Sequence, residues 1–310
     1  MATMRTATEK QTALLAELVQ AGLFIESGVP GVYGRGATFE HIRLAVDGLI
    51  TRVGASDCPE SLRFPPVIPR HQLEQNGYLK SFPHLAGSNF SFEGTEAEAV
   101  EQHDRACRHE DWSEFQTQTD LVLVPAACYP VYPAIAGRGT LPSGGVCVDA
   151  GGSYVFRHEP SGDPARLQMF HQREIVRIGE PEAVCAWRDA WRDRGVALLR
   201  RIGLDAEPDI ASDPFFGRAG RMLARSQREQ ALKFEIQVPI AAPESTAVAS
   251  FNYHQDHFAS RYGLVLADGG VAHTACLGFG LERITLALLS AHGFEPSAWP
   301  AEVRRELWEL

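Results

Sequence analysis

From about residue 117 the chain breaks into short apolar runs set between Gly-, Pro- and Asp-rich turns, and this texture limits the fold more than any other feature. The runs cover 121–125, 145–148, 154–158, 174–178, 232–240, 248–253 and 264–267, lengths that suit strands. Two helical patterns interrupt them, 181–203 and 215–231. A last one starts near Leu281 with apolar Ile284, Leu286, Ala287 and Leu289. A parallel sheet needs a crossover helix between successive strands, and that alternation is missing. The expected fold class is α+β, an antiparallel β-sheet flanked by helices.

The N-terminal portion reads differently. Leu14, Leu15, Leu18 and Val19 have helical spacing, with Gly22 as terminator. Gly28, Gly31, Gly34 and Gly36 mark a loop, and Phe39, Ile42, Ala45, Val46, Leu49 and Ile50 line a second helix. The stretch 62–70 is strand-like, but its prolines confine it to an edge or boundary. Nothing repeats with a period of 20–50 residues, and no composition break marks a linker. The 310 residues therefore read as one domain, 1–310, with a helical N-terminal portion (about 1–60) and an inserted helix (about 215–231).

At 45% hydrophobic and 22% charged, the chain can bury a large core, which excludes a disordered protein. Its 29 Lys+Arg against 39 Asp+Glu leave a net charge of −10, which argues against broad nucleic-acid binding but allows a local basic patch. No apolar run approaches the roughly 18–20 residues of a membrane helix. The N-terminus has no signal-peptide core, so a cytoplasmic protein is expected. Cysteines at 58, 107, 128, 147, 185 and 276 are scattered without a CxxC pair, and no disulfide framework is expected.

Two segments stand out for chemistry. The first is Tyr154-Val-Phe-Arg157-His-Glu159, a turn-rich loop, then Arg166-Leu167-Gln-Met-Phe170-His171-Gln172-Arg-Glu174, which reads as a hairpin. Arg157 and Glu159 are two apart and share one face of a strand, as a surface ion pair or as a ligand site. The second is Gly278-Phe-Gly280-Leu-Glu-Arg283, which opens a helix where backbone N–H groups favour an anion. Cys128 after a strand, Glu174 in the hairpin and Cys276 before the glycines are donors of the kind zinc takes. Six cysteines leave many other combinations open, and burial is the commoner fate of a thiol. His254 and His257 are either a metal pair or local hydrogen-bond partners, while His171 could lie near a nucleotide.

In order along the chain, the Pro-containing strand, the Arg-x-Glu hairpin and the Gly-x-Gly-x-Glu-Arg helix start resemble motifs 1, 2 and 3 of the class II aminoacyl-tRNA synthetases. Phe170-His171-Gln172-Arg173-Glu174, Lys233-Phe234-Glu235-Ile236 and Ser250-Phe251-Asn252 look like strands of the seryl enzymes. Only about sixty residues precede motif 1, too few for a tRNA-binding domain. The relatives with this shape are the bacterial amino acid:[carrier protein] ligases, similar to the catalytic core of the atypical, zinc-dependent seryl-tRNA synthetases of methanogens. Segments 65–70, 77–83 and 250–254 resemble that family, which extends the likeness over nearly the whole chain.

The resemblance implies ATP-dependent activation of a small amino acid, glycine or alanine, to an aminoacyl-adenylate. Transfer to the phosphopantetheine thiol of a carrier protein would follow, with tRNA not the expected acceptor. Arg157 would bind the α-phosphate and the substrate carboxylate, and Glu159 the adenine amino group. Phe170 would stack on the ring, with Arg283 on its other face or against the γ-phosphate. Arg166 and Leu167 would close the loop over the nucleotide. Lys233 and the strand Ala247, Val248, Ala249 and Ser250 would line the ATP and aminoacyl sites, Asn252 joining Ser250 at the amino acid. Glu235 or Glu244 would hold Mg²⁺. The resemblance also narrows the metal set to Cys128, Glu174 and Cys276, with Zn²⁺ receiving the substrate amine at its open position.

A homodimer is expected through the proline-stiffened stretch 64–70, since motif 1 lies at a two-fold interface. Arg218, Arg221, Arg225 and Arg228 fall on one helix face and are the expected carrier dock, with Met222, Leu223 and Leu232 anchoring the other side. Two other readings stay open, a compact seryl-tRNA synthetase-like enzyme acting on tRNA and a paralogue without turnover. Retention of Arg157, Glu159 and Arg283 speaks against the second.

Overall fold

The computed structural model describes residues 6–241 and 245–308. The chain begins with α1 (Ala7–Gln20), the hairpin β1 (Phe24–Glu26) and β2 (Tyr33–Arg35), and α2 (Ala37–Gly54). Then come β3 (Glu60–Ser61), β4 (Val67–Pro69), α3 (Arg70–Gln75), α4 (Tyr78–Ser81), β5 (Ser88–Phe92), α5 (Glu96–Cys107), β6 (Gln116–Leu123) and α6 (Val131–Ala136). The hairpin region is β7 (Val146–Asp149), β8 (Ser153–Phe156) and β9 (Met169–Gly179), followed by α7 (Pro181–Arg201), β10 (Glu207–Ile210) and α8 (Gly217–Glu229). The order closes with β11 (Lys233–Pro239), β12 (Ser245–Gln255), α9 (His257–Tyr262), β13 (His273–Gly280), α10 (Leu281–His292) and α11 (Ala301–Trp308).

An eight-stranded sheet runs β10-β11-β12-β13-β9-β7-β3, with β8 paired to the other end of β9. Every pairing in it is antiparallel except the short β3–β7 pair. The α+β reading therefore holds. Period 2 sends alternate residues of the central strands to opposite faces. Ile175, Phe251, Leu277 and Phe279 meet α2, α7 and α10 in the main core. The other face carries Val176 and Cys276 toward a second cluster around Tyr132 and Phe258. In α7, Gly195 permits close approach, because a Cβ there would lie 2.6 Å from the Phe251 ring. Trp191 of α7 is fully buried, stands edge-on to Phe279 and donates its ring N–H to Asp57. Among the described residues no helix is long and apolar enough to cross a membrane.

Several boundaries differ from expectation. The 62–70 stretch is a strand only over β4, Phe64 and Ile68 turning into their own subunit. Residues 264–267 form a single bridge, Val265 with Val271, rather than a strand. Gly278 and Gly280 lie in β13, a central strand hidden by glycines that lower strand propensity. α5 has no buried residue and so no apolar period to reveal it. Arg157 and Glu159 lie beyond β8, although Arg157 N–H still reaches Gln168 O at 2.9 Å. On α8, Met222 is 72% and Leu223 48% exposed, so neither anchors the helix as expected. The helix is held instead by Gly220, by Phe215 stacked on Phe82 and by Gln227 bonded to Asp213.

Trp191→Ala should destabilise the chain by about 3–5 kcal/mol in urea unfolding, whereas Met222→Ala should stay within about 0.5 kcal/mol. Equal costs would place the core elsewhere.

Candidate functional site

Three adjacent strands make the floor. In the ladder Glu174 of β9 faces Gly278 of β13, which faces Ser250 of β12, and one step on Cys276 faces Asn252. Directly opposed residues share a face, so Glu174, Gly278, Ser250, Cys276 and Asn252 all present the same side. Gly278 must be bare. A Cβ there would lie 3.0 Å from Gln172 Nε2, 3.2 Å from Ser250 Oγ and 3.3 Å from Glu174 Oε1.

Cys128 descends onto this floor from the segment between β6 and α6. Its main-chain N–H donates to Glu174 Oε2, and the preceding Ala127 N–H donates to Gln172 Oε1 at 3.3 Å. The Cys128, Glu174 and Cys276 donor atoms lie within 4.8 Å of one another, and all three residues are buried. Burial pushes the Cys128 thiol well up, helped by its hydrogen bond with Cys276 and by the Glu174 charge. Burial also raises the Glu174 carboxyl, against hydrogen bonds from Cys128. A hydrogen bond from Cys128 draws the Cys276 thiol down, yet burial and the Glu174 charge leave it raised. Three acidic groups without a cation among them form a site that a divalent ion would relieve. Two sulfurs and a carboxylate are the donor types of zinc, with a fourth position left over.

A cavity of about 520 Å³ opens over the cluster, and Arg157, Gln172, Ser250 and Asn252 line it with the three donors. Lys233 and Asp213 also line it, but Lys233 is committed. Its Nζ lies 2.6 Å from Asp213 Oδ1 and 3.0 Å from Glu235 Oε1. Burial pulls the ammonium down, and the Asp213 and Glu235 charges with their hydrogen bonds together leave it raised. Burial lifts Asp213 in turn, and Lys233 holds it below the usual range. Glu235 is thus occupied by Lys233, and Glu244 lies outside the described residues.

Arg283 donates to Ala165 O at 2.7 Å and Ala247 O at 2.9 Å, tying the hairpin loop to β12. Burial lowers its guanidinium, and the charges of Arg157 and Arg166 add to this. These three guanidinium groups and Glu159 therefore make a cationic corner beside the cavity. Arg166 itself is exposed, 3.9 Å from Glu159. Leu167, Val248 and Ala249 are buried in the main core, so their side chains serve packing and only their main chain is left for a nucleotide. Phe170 packs between two clusters. His171 is bonded to Glu282 at 2.7 Å, beside Arg35 and Tyr154, and is a structural residue. Sequence reasoning missed Asp213, which sits in an irregular stretch without periodicity, and Gln172, whose two-residue spacing from Glu174 was a usable signal.

No protein-family model matches the chain. Amino acid–[acyl-carrier-protein] ligase 1 of Bradyrhizobium diazoefficiens is 47% identical over 283 residues, covering 91% of this chain and 86% of that protein. Ligase 2 of the same organism is 46% identical, covering 91% of this chain and 84% of its own length. A solved structure of Methanopyrus kandleri seryl-tRNA synthetase in complex with A. aeolicus tRNASec superposes with a TM-score of 0.81 at 20% identity, over 96% of this chain and 60% of that one. Pyrococcus horikoshii seryl-tRNA synthetase, solved with ATP, gives 0.63 at 15% identity, over 94% and 60%. The fold is that of a class II aminoacyl-tRNA synthetase catalytic core, and by its likeness to the two Bradyrhizobium proteins the chain belongs to the amino acid–[acyl-carrier-protein] ligases.

Proposed function

We propose that the chain joins a small amino acid, glycine or alanine, to ATP as an aminoacyl-adenylate. It then passes the aminoacyl group to the phosphopantetheine thiol of a carrier protein, in the cytoplasm. The observation that carries this reading is the Cys128–Glu174–Cys276 cluster sharing one cavity with Arg157. In the first step a carboxylate oxygen attacks the α-phosphorus and pyrophosphate leaves. Arg157, with Arg283 and Arg166 beside it, offsets the negative charge that gathers there. Glu159 receives the adenine amino group, and the main chain of Ala247–Ser250 borders the nucleotide. In the second step the carrier sulfur attacks the acyl carbon, AMP leaves with the bonding pair, and the thiol proton goes to solvent. A thiol is nucleophilic once ionised, so no protein base is required.

Ser250 and Asn252 flank the amino acid on the floor. Cys128, Glu174 and Cys276 would hold Zn²⁺, which supplies an open Lewis-acid position for a neutral α-amino group and so distinguishes an amino acid from a plain carboxylic acid. Mg²⁺ accompanies ATP, with Glu235 as a ligand only if Lys233 releases it.

ATP–pyrophosphate exchange, run with a panel of amino acids, tests this. Exchange should favour glycine or alanine, and Arg157→Ala should lower it by about 100-fold or more, or about 2.7 kcal/mol. Cys276→Ser should lose bound zinc and exchange together. Exchange within a few-fold of wild type in Arg157→Ala, or unchanged metal content in Cys276→Ser, would overturn the assignment. Aminoacyl transfer to tRNA in preference to a carrier protein would overturn the acceptor.

The carrier dock is assigned to α8, whose Arg218, Arg221, Arg225 and Arg228 are all exposed beside the exposed Met222 and Phe216. A typical carrier protein is acidic, and this face is a local cation patch on a chain of net charge −10. Arg221→Glu with Arg225→Glu should cut transfer to the carrier by about tenfold relative to exchange, more so at low salt. Parallel loss of both half-reactions would make α8 a support of the fold instead.

A homodimer completes the proposal. The three-stranded sheet β4-β6-β5 leaves Phe90 55% and Leu121 41% exposed, Leu121 opposite Pro69, and a second copy would cover this apolar surface. Light scattering at micromolar concentration should return twice the chain mass, and a monomer would refute it.

A further inference from the structure

His254 has a placement that the reading above does not use. β12 and β13 keep register up to Tyr253 opposite Ala275, and then Gln255 faces Thr274, so His254 is the extra residue of a β-bulge. A bulge re-aims a side chain. Here the imidazole turns onto the cavity floor, with Nε2 3.5 Å from Cys276 Sγ and Nδ1 3.0 Å from Thr274 Oγ1. Phe258 stands edge-on to the ring at 4.9 Å and Tyr132 at 6.3 Å, which fixes its plane. Thr274 is fully buried, and Asn252 Nδ2 approaches the same Cys276 sulfur at 3.5 Å. Two side-chain nitrogens thus converge on one of the two sulfurs of the cluster.

A neutral imidazole carries one N–H and one lone pair. A cysteine that binds metal does so as thiolate, which accepts hydrogen bonds and donates none. A lone pair facing that sulfur would repel it, so the proton belongs on Nε2, and the Thr274 hydroxyl then donates to Nδ1. We propose that His254, oriented by Thr274, donates its Nε2–H to the Cys276 thiolate and, with Asn252, makes Cys276 the weaker electron donor of the two sulfur ligands. His254 is then a positioning residue for Cys276 and not itself a ligand. Drawing electron density from the sulfur leaves more positive charge at the open position and shields Cys276 from alkylation. This inference rests on the metal reading above and extends it to a residue outside the three donors.

The test uses the full chain loaded with Zn²⁺ or Co²⁺. His254→Phe keeps an aromatic ring and removes the N–H, His254→Gln keeps an N–H, and Thr274→Val keeps the shape but removes the hydroxyl. In His254→Phe the zinc affinity, measured by chelator competition, should fall by about tenfold or more. The sulfur-to-cobalt charge-transfer band should move to longer wavelength and Cys276 should alkylate faster, while the cobalt d–d bands stay those of wild type. His254→Gln should recover part of each effect, and Thr274→Val should show the same shifts in smaller measure. If His254→Phe does not fold, Thr274→Val decides. A charge-transfer band and alkylation rate equal to wild type in the folded variants would overturn the inference. So would d–d bands of altered coordination number, which would make His254 a ligand. Wild-type protein that takes up no metal would instead overturn the metal reading, and this inference with it.

Discussion

The register of β13 between β9 and β12 is the constraint on which the site depends. Glu174, Gly278 and Ser250 stand in one row, and Cys276 with Asn252 in the next. A slip of one residue would carry Leu277 and Phe279 onto the floor and Cys276 into the main core. Such a slip is held off from both sides. The reverse face of the same strands is locked by Phe251, Leu277, Phe279 and Trp191, all fully buried. The site is therefore positioned by the same packing that stabilises the sheet, and the bulge at His254 departs from that register at the edge of the donor cluster.

Charge in the cavity is divided rather than mixed. At one end two thiols and a carboxylate are buried together, each with its proton held more tightly than in water. At the other end burial, with the charges of Arg157 and Arg166 beside it, lowers the affinity of Arg283 for a proton. Lys233, between Asp213 and Glu235, is neutralised within the protein and adds little field of its own. A net −10 surface and a cationic corner are thus compatible, because the cations are concentrated where the hairpin loop meets β12.

Much of this was legible in the chain. The short runs implied an antiparallel sheet because their length and turn chemistry leave few alternatives, and the ordered motifs pointed to Cys128, Glu174 and Cys276. What stayed hidden has physical causes. β13 carries glycines because one of them must leave room for Glu174, and the substitution that serves the site weakens the strand signal. Leu167, Val248 and Ala249 looked like site residues through the motif they occupy, yet Leu167 precedes β9 and Val248 is the extra residue of a bulge against β11, so that it and its neighbour Ala249 both reach the main core. Asp213 could not be found because it lies in irregular chain, and only folding brings it to Lys233. His254 was visible as a histidine after a strand, but a bulge is not written in apolar periodicity.

An amino acid carries an amine and a carboxylate two bonds apart, and the cavity offers the matching polarity. On the proposed reading, the amine end meets the cluster of buried acids and the carboxylate meets Arg157. A substrate entered backwards would set its carboxylate against Glu174 and two thiols, and its amine among guanidinium groups. On that reading the amine–guanidinium contact is repulsive in a site walled by Tyr129 and Phe258, where the lower dielectric strengthens Coulomb terms. The arginine end, on that reading, favours one orientation of the substrate before any nucleotide is bound. On the proposed function the same division would separate the two leaving events, with pyrophosphate departing from the arginine end and the acyl carbon between Arg157 and the donor cluster. The incoming thiol needs only to reach that carbon. An exposed basic helix stands beside the cavity and contributes Leu223 and Gln227 to its wall, where the proposed acidic partner would approach.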